Sequence, residues 1–387
     1  MKIKIWKINK LEKICEILDN KRVPISQKDR ISGIYPYYGA SGIVDYIDKY
    51  IFDEELVLIG EDGAKWDAFE NSAFIASGKY WVNNHAHILK PNNEILINKF
   101  LVYFLNYSNL EKYITGATVK KLNQQKLKQI EIPLPPLKEQ ERIVGILDES
   151  FAKIDESIKI LEQNLLNLDE LMQSALQKAF NPLKDNAKEN YKLPQGWEWK
   201  SLGDISNYGK TSQVKPSQLK GNDWILELED IEKESGVLLQ KVLFQDRQSK
   251  SNKIKFNKGD ILFGTLRPYL KKVIIANDNG ACSSEIMPFS TGNSIANHFI
   301  YYYLFANFLH DRISSLTYGA RMPRLGTKDG KSLQIPLPPL KEQEQIAEHL
   351  DFVFEKTKAL KELYTKELKD YEELKQSLLD KAFKGEL

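Results

Sequence analysis

The residues of this chain best suited to chemistry lie in a few short runs, and each run also admits an ordinary structural role. In Trp81-Val82-Asn83-Asn84-His85-Ala86-His87 two histidines flank one alanine. On a strand they would share a face and could ligate zinc, but no cysteine or further histidine sits nearby to complete a site. Asparagine and histidine also read base edges, asparagine in bidentate fashion with adenine. Asn83, Asn84 and His85 are therefore candidates for such readout, beside a turn-stabilising role. Arg267-Pro268-Tyr269-Leu270-Lys271-Lys272 concentrates basic and aromatic groups. Arginine can pair with guanine in the major groove while lysines hold the backbone, which nominates Arg267, Tyr269, Lys271 and Lys272. Lys120-Lys121-Leu122 matches Pro323-Arg324-Leu325 at an offset of 203, with Arg321 close by. A base or phosphate contact at Lys120, Lys121, Arg321 and Arg324 stands against a plain solvated charge. Two glycine-bearing loops, Tyr35-Pro36-Tyr37-Tyr38-Gly39-Ala40-Ser41-Gly42 and Gly60-Glu61-Asp62-Gly63, would let a ligand approach the backbone or would simply be turns. Tyr37, Tyr38 and Ser41 are the side chains there that could touch it.

Catalytic sets are missing from the sequence. Gly203-Asp204-Ile205-Ser206-Asn207-Tyr208-Gly209-Lys210-Thr211 has five residues between its glycines where a phosphate loop has four. The following Ser212-Gln213-Val214-Lys215-Pro216 does not open the helix whose amides a phosphate needs. There is no Gly-x-Gly-x-x-Gly, no amino-methyltransferase Asn/Asp-Pro-Pro-aromatic motif and no Gly-x-Ser-x-Gly elbow. Dispersed polar residues of this kind suit a surface reader better than a pocket.

The 387 residues are 42% hydrophobic, enough to bury cores and to exclude intrinsic disorder. Two distant cysteines, Cys15 and Cys282, form no framework, which suits a reducing cytosol. The start lacks the apolar run of a signal peptide and no apolar stretch reaches the length of a membrane span, so a cytoplasmic protein is expected. The formal charge of +2 speaks against a polybasic binder only if charge is spread evenly. It is not. Residues 1–129 carry 19 basic against 15 acidic side chains, and residues 201–332 carry 18 against 13. Residues 130–180 carry 5 against 10, and residues 333–387 carry 9 against 12. The two basic surpluses could meet phosphates, and the acidic segments would avoid nucleic acid and stay free for protein.

Those acidic segments are copies of each other. Ile130–Phe180 aligns with Leu333–Phe383 without a gap, with 24 identities in 51 positions. Both copies open on Ile-Pro-Leu-Pro-Pro-Leu-Lys-Glu-Gln-Glu and close on Lys-Ala-Phe. The prolines set an extended lead-in, and one long helix is expected after each. In the first, Leu147, Phe151, Ile154, Ile158, Leu161, Leu165, Leu168, Met172, Ala175 and Ala179 step by alternate fours and threes, a heptad seam. The second seam is rougher: Ile346, Leu350, Val353, Leu360, Tyr364, Tyr371, Leu374 and Leu378, with Thr357 and Glu367 in its gaps. Such stripes need cover, most economically from each other in an antiparallel coiled coil. The segments before the helices mix short strand-like runs (Leu56–Ile59, Asp260–Phe263, Val273–Ile275) with a late helical stretch (Lys99–Tyr107, Ala296–Leu309). The linker is expected at Asn181–Gln195.

The duplicated Pro-Leu-Pro-Pro-Leu-Lys-Glu-Gln-Glu before a long helix, each copy after a variable head, resembles the specificity subunit of type I restriction–modification enzymes. Tyr37–Gly42, Gly60–Gly63 and Trp81–His85 are similar to one group of target recognition domains, and Gly259–Leu262 with Thr265–Tyr269 to another. The resemblance implies an α+β chain: two mixed α/β target recognition domains joined by two long helices pairing as an antiparallel coiled coil. Its parts would be target recognition domain 1 at 1–132, a central helix at 133–182, target recognition domain 2 at 183–335 and a C-terminal helix at 336–387. It further implies that each head reads one half of a bipartite, asymmetric target in double-stranded DNA. The helices would dock two methyltransferase subunits, with restriction/translocase subunits joining them. S-adenosylmethionine, ATP and Mg would sit on those partners, and this chain would bind no cofactor or metal and catalyse nothing alone.

Overall fold

A computed structural model describes residues 6–116, 118–181, 193–247 and 249–387. The expected linker lies almost wholly outside them, as do residues 1–5 and Ala117. The chain forms two compact units, 1–161 with 366–387 and 162–365. Each unit thus takes the start of one long helix and the end of the other.

In the first unit, a four-stranded antiparallel sheet runs in the order Cys15–Ile17, Ala86–Pro91, Leu56–Gly60, Ala73–Ala76. The all-apolar Leu56–Ile59 run is buried on both faces, as a strand with no alternation must be. A second sheet, in the order Gly42–Ile47, Ser32–Gly39, Lys79–Val82, Phe52–Asp53, contains one parallel pair. The helix Asn98–Tyr107 turns Phe100, Leu101 and Leu105 into the core.

The second unit has a three-stranded sheet, Val273–Ile275, Ile261–Gly264, Ile286–Phe289, and a five-stranded one in which Trp224–Leu226 runs parallel to Gly280–Cys282. The single helix expected over Ala296–Leu309 is two, Ser294–Tyr303 and Asn307–Leu316. Leu304, Phe305 and Ala306 between them are all fully buried. A straight helix would rotate one of three consecutive side chains toward water, so the chain bends instead.

Both long helices form, over Leu137–Phe180 and Leu340–Lys384, each extending roughly 66 Å. Each follows a two-stranded antiparallel ribbon, Lys7–Lys10 with Glu131–Leu134 and Glu198–Ser201 with Gln334–Leu337. The repeated glutamine explains the motif. Gln140 is buried and its amide donates to the carbonyl of Pro135 at 2.9 Å, and Gln343 does the same to Pro338 at 2.8 Å. Proline contributes no N–H, so the side-chain amide supplies a donor that this proline-rich lead-in lacks.

The helices pair antiparallel. Asp155 bonds Lys375 in the first unit and Asp169 bonds Lys361 in the second, and the residue numbers total 530 in both pairs. The second seam differs from its expected phase. Thr357 is buried at its expected place, but Leu360 and Leu374 point to solvent, and the half-buried stems of Lys361 and Lys375 take those places. Lysine can cover apolar surface with its methylenes while its ammonium reaches a carboxylate, which a count of apolar letters does not register. In the first helix, Leu176 and Phe180 are fully buried where Ala175 and Ala179 were expected to be the inward residues. Here the helix packs on a globular core, Phe180 edge-to-face with Phe299 and Tyr303, and the strict heptad period lapses.

The same attachment recurs in both units. Asp148 accepts from the Tyr103 hydroxyl at 2.6 Å and Asp351 from the Tyr302 hydroxyl. Phe151 and Phe354, also 203 apart, pack edge-to-face on those tyrosines. No helix among the described residues is long and apolar enough to cross a membrane.

Candidate nucleic-acid interface

Each head brings three separate stretches together at the end of its central strand. In the first unit, Leu56–Gly60 runs into Glu61, whose N–H donates to the His85 carbonyl at 2.8 Å. The Glu61 carbonyl accepts from Leu122 N–H at 2.8 Å, and Asp62 bridges Lys121. In the second unit, Ile261–Gly264 runs into Thr265, whose N–H donates to the Glu285 carbonyl at 2.8 Å. The Thr265 carbonyl accepts from Leu325 N–H at 2.9 Å, and Leu266 bridges Arg324. The frame is therefore the same with different side chains on it: Asp62, His85 and Lys121 in one head, Leu266, Glu285 and Arg324 in the other.

Beneath the first surface lies an ion network. His87 is fully buried, its Nδ1 2.6 Å from Asp19 and its Nε2 2.6 Å from the Leu122 carbonyl, so an acceptor faces each ring nitrogen. Arg22 binds Glu61, and Lys121 reaches it at 2.9 Å. Burial works to raise the Asp19 and Glu61 carboxyls, but donors outweigh it. His87, then the Ile88 N–H and Arg22, hold Asp19 below the usual carboxylate range, and Arg22 and Lys121 do so for Glu61. Asp19, Glu61 and His87 offer ligand atoms within 4.8 Å of one another, yet two cationic side chains already balance the carboxylates. The pair His85 and His87 is split: His85 precedes the strand Ala86–Pro91 and lies exposed on Asp62, while His87 is inside.

The candidate residues divide by exposure. Ser41 lies exposed in the turn closed by Gly42 (φ +124°), where a side chain would be strained. Asn84, His85 and Lys120 are also exposed, Lys120 with its ammonium 2.8 Å from Glu111, and Lys121 is half-buried. Tyr38 is half-buried against Phe74 and Tyr80, and burial raises its hydroxyl. Tyr37 is inside, its hydroxyl accepting from Ile25 N–H at 3.0 Å and its ring 4.5 Å below the Arg30 guanidinium. Asn83 is buried and its side-chain oxygen holds the His85 N–H at 2.7 Å, which sets the turn that displays His85.

In the second unit Arg267, Tyr269 and Arg321 are exposed and Arg324 is half-exposed, 3.8 Å from Glu285. Lys271 is buried, its ammonium on the Asn307 side-chain oxygen, and burial pushes its pKa down. Lys272 donates to the Leu228 carbonyl at 2.7 Å. Arg267 (φ +48°) and Lys271 (φ +45°) are both left-handed around the tight turn Pro268–Leu270. A strained conformation of this kind costs on the order of 1–3 kcal/mol per residue and persists where surroundings impose it. Here the Arg267 N–H donates to Pro323 at 2.7 Å and Lys271 is anchored as above, so the turn projects Tyr269 outward. Lys271 and Lys272 thus hold the loop from within, and Arg267 and Tyr269 are what it offers.

One surface was not anticipated from sequence. The hairpin Ser32–Gly39 and Gly42–Ile47 leaves Ile34, Ile43, Val44 and Tyr46 exposed. Alternation in Gly42–Ile47 signals a strand but not which face is covered, and Val44 and Tyr46 point out where Ile47 points in.

Known proteins are similar to this chain in sequence and in fold. The family model for the type I restriction modification DNA specificity domain matches residues 3–166 and 194–370. A putative type I restriction enzyme specificity subunit of Haemophilus influenzae is 30% identical over 352 residues, covering 89% of this chain and 86% of the relative. The EcoDI specificity subunit of Escherichia coli is 26% identical over 381 residues, covering 92% and 83%. Among solved structures, a chain from a study of complex assembly and conformational transition of the type I R-M system superimposes with TM-score 0.71 at 20% identity over 99% of both chains. The HsdS subunit of Thermoanaerobacter tengcongensis does so with TM-score 0.56 at 20% identity, over 99% of this chain and 98% of that one. With the family's domain matched twice across most of its length, the chain belongs to the specificity subunits of type I restriction–modification systems, the non-catalytic component that carries DNA specificity.

Proposed function

We propose that each head reads one half of a bipartite, asymmetric target in double-stranded DNA, and that the acidic long helices dock two methyltransferase subunits, which restriction/translocase subunits join in the cytoplasm. The observation that carries this reading is the shared frame with unlike side chains. Asp62, His85 and Lys121 occupy in one head the places that Leu266, Glu285 and Arg324 occupy in the other. Two surfaces built alike but presenting different donors and acceptors recognise different base edges. Ser41, Asn84 and His85 in the first head and Arg267 and Tyr269 in the second are the proposed base contacts, with Lys120, Arg321 and Arg324 on phosphate and Lys121 held back on Glu61. Asn83, Tyr37, Lys271 and Lys272 act from behind by holding those loops. S-adenosylmethionine, ATP and Mg belong to the partner subunits in this reading.

Methylome sequencing of cells carrying the intact system tests it. Two non-identical half-sites separated by a spacer are expected. A palindromic or contiguous methylated motif would overturn the assignment of one half-site to each head.

A further inference from the structure

The loop that carries Lys121 and Arg324 is duplicated in more than its cation. Thr115 pairs with Lys121 in the first unit and Tyr318 with Arg324 in the second, the same register at an offset of 203. Gly116 (φ +93°) and Gly319 (φ +94°) turn the chain left-handed at the same place. A Cβ at Gly116 would come within 2.1 Å of the Val119 carbonyl, so glycine is required there. Ala117 lies outside the described residues. At the far side of each turn stands an aliphatic side chain in water: Val119, 68% exposed, and Met322, 54% exposed, again 203 apart.

Turn positions ordinarily go to Gly, Asn, Asp, Ser or Pro, and an aliphatic chain gains nothing from solvent there. One such residue on a surface is commonplace. The same character at the same register in two heads whose other loops have diverged points to a shared job. The neighbours define the ligand, because each tip is flanked by cations, Lys120 and Lys121 in one loop and Arg321 and Arg324 in the other. An aliphatic tip between cations suits the minor groove, where apolar wedges lean on base steps while basic groups hold the phosphates.

We infer that Val119 and Met322 are DNA wedges, each entering the minor groove of its own half-site and loosening one base step, a sequence-tolerant contact common to both heads. The inference rests on the reading that each head binds one half-site, and it separates seating on the duplex from choosing the bases. Reading belongs to the unlike side chains, and seating to the duplicated tip.

The test uses the assembled methyltransferase complex carrying Val119→Ser or Met322→Ser. Duplexes contain the methylated motif of the native complex, with 2-aminopurine placed in turn at each step of the half-sites and spacer. The native complex should raise the fluorescence at one step for each head. Each variant should abolish the rise for its own head only, and should weaken binding to cognate and mismatched duplex alike by about tenfold, the worth of one buried aliphatic side chain. The methylated motif and the thermal stability should stay unchanged. Unaltered affinity and fluorescence in both variants would overturn the inference, as would a changed motif, which would make the tips base readers. Failure of the methyltransferase subunits to assemble, with DNA affinity intact, would also overturn it by making the tips a protein contact. If the native complex shows no two-part site at all, the half-site reading itself falls, and the wedge with it.

Discussion

Lys121 and Arg324 hold the same position in their two loops, but they are not equally available to a phosphate, and the difference is measurable. Arg324 faces one carboxylate, Glu285, at 3.8 Å, a stretched pair with both partners about one-third exposed. Pairs of that kind contribute roughly 0–1 kcal/mol, so little is lost when the guanidinium turns to DNA. Lys121 lies 2.9 Å from Glu61 and 3.8 Å from Asp62, and the Glu61 side chain is only 11% exposed. Pulling the ammonium away would leave a poorly solvated carboxylate with Arg22 as its remaining cation, at a cost of about 1–3 kcal/mol. Arg324→Ala should therefore remove about one phosphate contact, lowering the slope of log affinity against log salt by roughly 0.9. Affinity at moderate salt should fall about five- to tenfold. Lys121→Ala should leave the slope nearly unchanged and destabilise the first unit by on the order of 1 kcal/mol instead. Fluorescence anisotropy of the assembled complex on a labelled duplex over a salt series, beside thermal melts of the free chain, reads both quantities. An equal loss of slope in the two variants would refute the argument that pairing decides availability. Unchanged affinity in Arg324→Ala would remove that residue from the interface.

Two further predictions concern the frame. Phe180 is fully buried, with Phe299 and Tyr303 each 5.1 Å away edge-to-face. Phe180→Ala should cost about 3–5 kcal/mol, seen by calorimetry as an earlier melt of the second unit, and a loss below about 1 kcal/mol would show that the site collapses around the cavity. His310 is buried, its Nε2 donating to the Leu304 carbonyl at 2.6 Å, and burial pushes its pKa down to about 4. Below the unfolded value near 6.5 the unfolded chain takes up a proton that the folded one refuses, so stability is lost as pH falls from about 6.5 toward 4, by about 1.4 kcal/mol per pH unit. Denaturant unfolding between pH 7 and pH 5 should show this loss, and His310→Gln should flatten it. An equal slope in the variant would assign the effect to other groups.

The local code of this chain is strong where it is periodic or duplicated. Fifty-one residues repeated without a gap, opening on proline and free of it afterwards, specify two long helices whatever surrounds them, because propensity and a continuous apolar stripe agree over many turns. The segmental charges and the alignment of Lys121 with Arg324 were equally legible. What periodicity cannot state is which stripe a neighbour covers. Leu360 and Leu374 read as seam residues, yet Lys361 and Lys375 take their places, since an antiparallel partner offering Asp155 and Asp169 rewards a lysine stem and its ammonium together.

The loops show the same division more sharply. Glu61–Gly63 and Thr265–Tyr269 have no sequence in common beyond a glycine before them, yet both stretches begin by pairing with the same duplicated hairpin. Backbone hydrogen bonds make that equivalence, and they leave no mark on side-chain identity. Exposure was likewise decided only in three dimensions. Within Trp81–His87 the polar letters look alike, but Asn83 and His87 turn inward to hold a frame while Asn84 and His85 are left outside. The sequence by itself determined that two unlike heads ride on one repeated helix. The tertiary structure decided which of their polar side chains hold the frame and which face outward, because that depends on what the rest of the chain packs behind each turn.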